Sequence, residues 1–146
     1  MFKNKKIVLF AFATKDLHKS VDRIRKQAKE SNYYDEIKIL GPSDFDEKMK
    51  SKFQLMKKNE RKKGYGYWFW KPIFLSKIIS GLKPDDIVHY ADIGCHIQNK
   101  NSRFHDYLDI LTKKENFVLP FQYFIDHRKF SKDISFIERQ EYEYTK

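Results

Sequence analysis

The sequence predicts an α/β fold with a central, mostly parallel sheet flanked by helices, and two patterns support this. Residues 7–13 form an uninterrupted apolar run, which is typical of a strand buried on both faces of a parallel sheet. Segments with helical and strand-like spacing then alternate along the chain, as they do in layered α/β domains. Because 146 residues are enough for one ordinary domain, we expect a single domain over residues 1–146.

The first half of the chain contains two predicted helices and a second strand. A helix is expected over residues 15–30, where apolar side chains recur at helical spacing between charged ones. Residues 37–40 indicate a short strand closed by a Gly-Pro turn. Ser43 is expected to cap the next helix, with Asp46 as the carboxylate of a capping box. The apolar stripe of that helix is Phe45, Met49, Phe53 and Met56.

The second half continues the alternation. A helix is expected over residues 72–80, since proline suits the first turn of a helix and Gly81 suits its end. Residues 87–91 then indicate a strand, residues 102–114 a helix and residues 117–119 a further strand.

The basic charge lies in the first half of the chain. The net charge is +10, and residues 1–72 hold 19 basic and 9 acidic side chains, whereas the remainder holds 11 of each. Clustered basic residues favour nucleic acid, yet only 6 of the 30 are arginines, the residues that most often recognise bases. We therefore expect no nucleic-acid partner, and a basic nucleic-acid-binding module remains an alternative.

Cysteine content and hydropathy restrict the class of protein further. Cys95 is the single cysteine, which excludes an internal disulfide framework and a Cys-rich zinc module. No stretch reaches the ~18 uninterrupted apolar residues of a membrane span. We expect a cytoplasmic protein, with room for peripheral contact at the inner face of the plasma membrane. Residues 1–13 also have a basic start and a short apolar run, so export remains an alternative.

A carboxylate stands at the end of a predicted strand. Asp92 directly follows residues 87–91, and the carboxyl ends of parallel strands are where open α/β sheets bind ligands. A carboxylate there can hold a divalent metal together with substrate phosphates, and the metal offsets charge on a leaving diphosphate. The alternative is that Asp92 only caps a loop or accepts a bond from a backbone N–H.

An aromatic block, GYGYWFWKP, occupies residues 64–72. Core packing explains Phe69 and one tryptophan, but it does not explain Lys71 directly before the proline. That lysine is expected at a helix start, where backbone N–H groups favour phosphate. The two glycines allow the backbone to approach a ligand closely.

Residues 64–72 and residues 84–95, PDDIVHYADIGC, together resemble the motifs of a bacterial family of glycosyltransferases. That family has a Rossmann-like GT-A, nucleotide-diphospho-sugar transferase fold. Its pattern is G-x-G-Y-W-x-W-K-P, then a helix, then G-D-x-V-x-Y-x-D-x-G-C. The resemblance implies transfer of a sugar from a nucleotide-diphosphate donor to a glycan or lipid-linked acceptor in surface polysaccharide synthesis. The first strand and helix fit the same plan, so the resemblance spans most of the chain.

The resemblance also implies roles for individual residues. Asp92 takes the place of the first Asp of the D-x-D metal motif, and Lys71 is the cation facing the donor diphosphate; these two are the predicted catalytic residues. Gly94 replaces the second Asp, so the further ligand for Mn²⁺ or Mg²⁺ is expected to be His96 or a distant residue, and the alternative for His96 is a solvated loop histidine. The residues expected to contact the donor are Ala11, Tyr67, Trp68, Trp70, Lys71 and Gly94.

Residues 141–146, EYEYTK, resemble a family segment that normally continues into another helix. We therefore expect a fold incomplete at its carboxyl end, with residues 1–146 forming the donor-binding part of the enzyme. Asp126 and His127 are candidates for the catalytic base, with a simple turn as the alternative. An inactive remnant of such an enzyme is a further alternative.

Overall fold

The computed structural model describes residue 2 and residues 4–58, 64–98 and 103–113. The chain divides into two compact units, Met1–His105 and Asp106–Lys146. The first unit holds the sheet, and residues 106–113 are the described part of the second. The predicted strand at residues 117–119 and the candidate bases Asp126 and His127 lie outside the described residues.

Strands and helices alternate along the first unit, as the sequence predicts. The elements in chain order are β1 (Ile7–Phe12), α1 (His18–Ser31), β2 (Glu36–Leu40), α2 (Glu47–Lys58), the single turn α3 (Gly64–Tyr67), α4 (Trp70–Ser80), β3 (Ile87–Tyr90) and α5 (Arg103–Lys113). Short 3₁₀ turns, Lys15–Leu17 and Pro42–Asp44, precede α1 and α2.

The described strands form one open parallel sheet in the order β2-β1-β3. Leu9 pairs with Ile37 of β2 on one side and with His89 of β3 on the other. The prediction of an α/β fold with a parallel sheet and flanking helices is confirmed. Because β2 and β3 lie on opposite sides of β1, the chain reverses its winding direction between β1 and β3, and such a reversal opens a crevice at the carboxyl ends of the strands.

Helices cover both faces of the central strand β1, which is buried along its whole length. Side chains alternate along a strand, so Val8, Phe10 and Phe12 pack on one face with α2 and α4. Leu9 and Ala11 pack on the other face with α1. The uninterrupted apolar run therefore reflects burial of both faces, as expected for a parallel sheet.

The predicted cap of α2 was wrong. Residues 42–44 form a 3₁₀ turn in which the Asp44 carboxylate accepts a hydrogen bond from Gly41 N at 2.7 Å, so the α-helix begins only at Glu47. Asp46, rather than Ser43, is the cap, because its Oδ1 accepts a hydrogen bond from Met49 N at 2.9 Å. In the part of the chain that the structure describes, no helix combines the length and apolar character needed to cross a membrane.

Candidate functional site

Asp92 lies at the carboxyl edge of the sheet, where β1 and β3 end side by side. Ala91 N donates a hydrogen bond to Phe10 O at 3.0 Å, which extends the ladder one residue beyond β3. Asp92 comes next, with its side chain 65% exposed. Its carboxylate is therefore exposed to solvent at this edge of the sheet.

Lys71 reaches the same point from α4. The helix is fixed on β1 because the Trp70 ring stacks on Phe12 at a centroid distance of 3.9 Å and the Phe74 ring meets Phe10 at 6.2 Å. Lys71 is the next residue in this first turn, and its Nζ lies 3.4 Å from Asp92 Oδ1. The structure therefore brings together the two residues that were predicted from the sequence to face a common diphosphate.

Tyr90 contacts both charged groups. The Lys71 Nζ lies 4.5 Å from the Tyr90 ring centroid, and the Tyr90 hydroxyl donates a hydrogen bond to Asp92 Oδ1. Burial, followed by this bond to a carboxylate, raises the pKa of Tyr90. Tyr90 was not among the site residues predicted from the sequence, although its spacing was informative: residues i and i+2 of an extended segment lie on the same face.

The backbone before α4 adopts an unusual conformation. Tyr65, Gly66 and Trp68 have φ values of 55°, 86° and 56°, and the left-handed region costs a non-glycine residue about 1–2 kcal/mol. Lys71 N donates to Trp68 O at 2.9 Å, which closes the turn that leads into the helix. As a result Trp68 is 41% exposed while Phe69 is only 8% exposed. Backbone strain of this kind is concentrated at functional sites.

A cavity of about 920 Å³ opens on the β1–β2 side of the same edge. Its walls come from the loop after β1, the start of α1, the turn after β2, and Tyr65. Both charges are represented: Lys15, His18 and Arg25 line it together with Asp16, Asp22 and Asp44. Lys71 and Asp92 do not line this cavity, so the ion pair lies on the β1–β3 side of the edge and the cavity on the β1–β2 side.

The other predicted donor contacts lie in different environments. Ala11 and Trp70 are 0% and 3% exposed, so their assignment to the donor stays a prediction that burial does not favour. Trp68 is exposed, and its ring centroid lies 5.8 Å from Lys71 Nζ. Gly94 borders open space, because no heavy atom outside Gly94 and its two chain neighbours lies within 4 Å of the position that a β-carbon would take there. The side chain of Tyr67 lies outside the described residues.

The predicted metal ligands are Asp92 and His96, and neither belongs to a cluster of metal-binding side chains in the part of the chain that the structure describes. Within residues 4–58, 64–98 and 103–113 there is no group of three or more His, Cys, Asp or Glu side chains suited to a cation. His96 Nδ1 lies 3.2 Å from Gln27 Nε2 of α1. Asp92 fits as the one protein carboxylate of a Mg²⁺ or Mn²⁺ whose other ligands are substrate phosphates and water, which is a common arrangement.

Comparison with known proteins gives no match to this chain, whether with protein-family models, curated proteins or solved structures.

Proposed function

We propose that this chain is a glycosyltransferase, or the donor-binding part of one, that takes a sugar from a nucleotide-diphosphate donor. The observation that carries the proposal is the meeting of Lys71 Nζ and Asp92 Oδ1, 3.4 Å apart, at the carboxyl edge of the sheet. This edge is where open α/β sheets bind nucleotides. The proposed acceptor is a glycan or lipid-linked sugar in surface polysaccharide synthesis.

The proposed reaction separates a diphosphate from a sugar. The bond between the anomeric carbon and the diphosphate oxygen breaks, and its electron pair leaves with the diphosphate. The acceptor hydroxyl oxygen bonds to the anomeric carbon and gives its proton to a base. The Lys71 ammonium stabilises the negative charge that develops on the leaving oxygen, and a group already positioned there reorganises little during the step.

Asp92 would hold the divalent cation. When bound, the cation supplies Lewis-acid stabilisation of the leaving diphosphate. Because the Lys71 ammonium lies 3.4 Å from Asp92 Oδ1, it would contribute a second positive charge beside the diphosphate.

The open cavity on the β1–β2 side of the carboxyl edge offers room for the nucleoside half of the donor. Its volume of about 920 Å³ lies within the range of ligand-binding clefts. The mixture of Arg25 and Asp44 in its walls supplies donors and acceptors for the polar edge of a base or a ribose.

The proposal is tested by titrating a panel of nucleotide sugars with Mn²⁺ into the protein in a calorimeter. We expect heat for at least one donor and a weaker, still measurable affinity in Asp92→Asn. The matched control is Asp85→Asn, because Asp85 also pairs with a lysine, Lys5 at 3.2 Å, but precedes β3 and so lies at the opposite edge. Absence of heat for every donor contradicts the proposal.

A second measurement separates the alternatives. Release of nucleoside diphosphate from a bound donor indicates an active enzyme, whereas binding without turnover indicates an inactive remnant. Steeply salt-dependent binding to random oligonucleotides, with no response to nucleotide sugars, favours a nucleic-acid-binding module instead.

A further inference from the structure

We propose that Tyr90 is a positioning residue whose ring carries the Lys71 ammonium and whose hydroxyl holds the Asp92 carboxylate, so that the two charges are arranged before any ligand binds. Only the ligand-binding measurement below rests on the proposed function. Three contacts support the role of Tyr90: ring to ammonium, hydroxyl to carboxylate, and ring to the core.

The Tyr90 ring is anchored in the core. It packs against Phe10 at a centroid distance of 5.5 Å and against Trp70 at 6.4 Å, and these residues are 0% and 3% exposed. Tyr90 is also paired in the sheet with Phe10. A side chain held by a strand and by two buried rings has little freedom, which is the condition for positioning another group accurately.

The ring places the ammonium of Lys71. Nζ lies 4.5 Å from the Tyr90 centroid, whereas the centroids of Trp68 and Trp70 are 5.8 and 5.7 Å away. The Tyr90 ring is therefore the nearest of these aromatic groups, and a cation over an aromatic face is attracted by its quadrupole. Because a lysine side chain otherwise samples many rotamers, this contact restricts where the charge lies.

The hydroxyl places the carboxylate of Asp92. Asp92 is 65% exposed, so packing does not fix it, and the bond donated by Tyr90 to Oδ1 supplies the restraint. The same oxygen is the one that faces Lys71. One aromatic side chain thus sets both members of the ion pair, and a diphosphate arriving at the sheet edge meets charges that are already oriented.

The first test measures the position of Lys71 without any ligand. In protein with ¹³C-labelled lysine, ring currents shift the Lys71 ε-methylene protons, whose resonance is assigned by its absence in Lys71→Ala. Because Tyr90→Leu also removes the ring current of Tyr90, the position is read from nuclear Overhauser contacts of these protons with the rings of Trp68 and Trp70, whose centroids lie 5.8 and 5.7 Å from Lys71 Nζ. We expect Tyr90→Phe to keep the wild-type shift and these contacts, and Tyr90→Leu to lose the contacts. Contacts that persist unchanged in a folded Tyr90→Leu protein would overturn the proposal.

The second test separates the hydroxyl from the ring. Tyr90→Phe removes the bond to Asp92 but keeps the ring, and we expect the donor affinity to fall roughly threefold to tenfold. In an Asp92→Ala background the same change is expected to have no further effect, since its partner is already absent. Additive losses would mean that the hydroxyl does not act through Asp92.

A matched control is provided by Tyr34. Its hydroxyl lies 2.7 Å from His89 Nδ1, so Tyr34→Phe also removes a tyrosine hydroxyl that contacts β3. We expect it to leave the Lys71 resonance and the donor affinity unchanged. If the wild-type protein binds no donor, the proposed function fails while the Lys71 resonance still decides the role of Tyr90. If Tyr90→Leu lowers the folded fraction, the Lys71 resonance is read in Tyr90→Phe instead. A Lys71 shift in Tyr90→Phe that differs from the wild-type shift contradicts the proposal.

Discussion

The Lys71 side chain has a different role from a lysine that is only exposed to solvent on a helix surface. Its partner Asp92 is 65% exposed, and ion pairs at exposed positions contribute little to stability because water and salt screen them. The pair is therefore expected to matter for ligand binding rather than for folding. This difference allows substitutions at Lys71 to be interpreted without a confounding loss of the fold.

Lys71→Ala is expected to weaken donor binding on the order of tenfold or more, since hydrogen bonds to charged groups are worth about 1.5–3 kcal/mol. The melting temperature is expected to stay close to that of the wild type. Lys77→Ala is the control, because Lys77 also lies on α4 and pairs with a carboxylate, but with Asp46 at 3.0 Å rather than with Asp92. Equal losses of donor affinity in the two variants, measured by calorimetry, would show that Lys71 does not contact the donor.

At the scale of secondary structure, the turns after the strands fix the shape of the ligand-binding edge. Ala13 N donates to Leu40 O at 2.9 Å, so the ladder between β1 and β2 continues one residue past the end of β1. Gly41 follows directly and brings the chain against the loop after β1: a side-chain carbon at Gly41 would lie 2.6 Å from Ala13 O. Such a distance is too short for any Cβ, so glycine is required here for close approach rather than for backbone conformation.

Gly41→Ala is expected to destabilise the protein by about 1–3 kcal/mol, the usual cost of forcing extra volume into a packed site. Gly94→Ala is the matched control, because nothing lies within 4 Å of the added carbon, and its effect is expected to stay within about 0.5 kcal/mol. Urea unfolding of both variants measures the difference. Equal stability of the two variants would show that the backbone shifts away from the added β-carbon at position 41 without loss of stability.

At the scale of the whole molecule, a partly buried histidine on one face of the sheet makes the stability of the protein depend on pH. The face that carries α1 includes His89, whose ring stacks with Tyr34 at a centroid distance of 5.7 Å and lies 5.6 Å from Phe104. Burial lowers the pKa of His89 below its ordinary value of 6.5. His89 is therefore harder to protonate in the folded protein than in the unfolded chain.

This linkage gives a pH dependence of stability. Above pH 6.5 His89 is neutral in both states and costs nothing. As the pH falls below that value the unfolded state binds the proton first, so stability decreases until the pH passes the lowered pKa of the folded protein. We expect the free energy of unfolding of His89→Gln to depend less on pH in this interval than that of the wild type. Urea unfolding at a series of pH values measures this dependence. An unchanged pH profile would show that another group is responsible.

The order of strands and helices was predictable from the sequence because the spacing of apolar residues that indicates each element lies within that element. The apolar run at residues 7–13 contained enough information to indicate a strand buried on both faces, and the structure confirms the parallel sheet. The error at Ser43 arose because two adjacent turns compete for the same polar residues. Asp44 caps the 3₁₀ turn and Asp46 caps α2, and local composition does not distinguish these arrangements.

The position of Asp92 at a strand end could be predicted from the residues that precede it, because the length of a strand and its polar boundary are visible in the adjacent sequence. The role of Tyr90 and the separation of the two tryptophans depend on how α4 packs on β1. Trp70 stacks on Phe12 in the core while Trp68 is exposed, and the sequence of the aromatic block, which suggests one buried tryptophan, does not show which of the two it is. Local patterns report which residues avoid water, whereas only the packed chain shows which distant groups meet, because that depends on the sum of contacts over the whole fold.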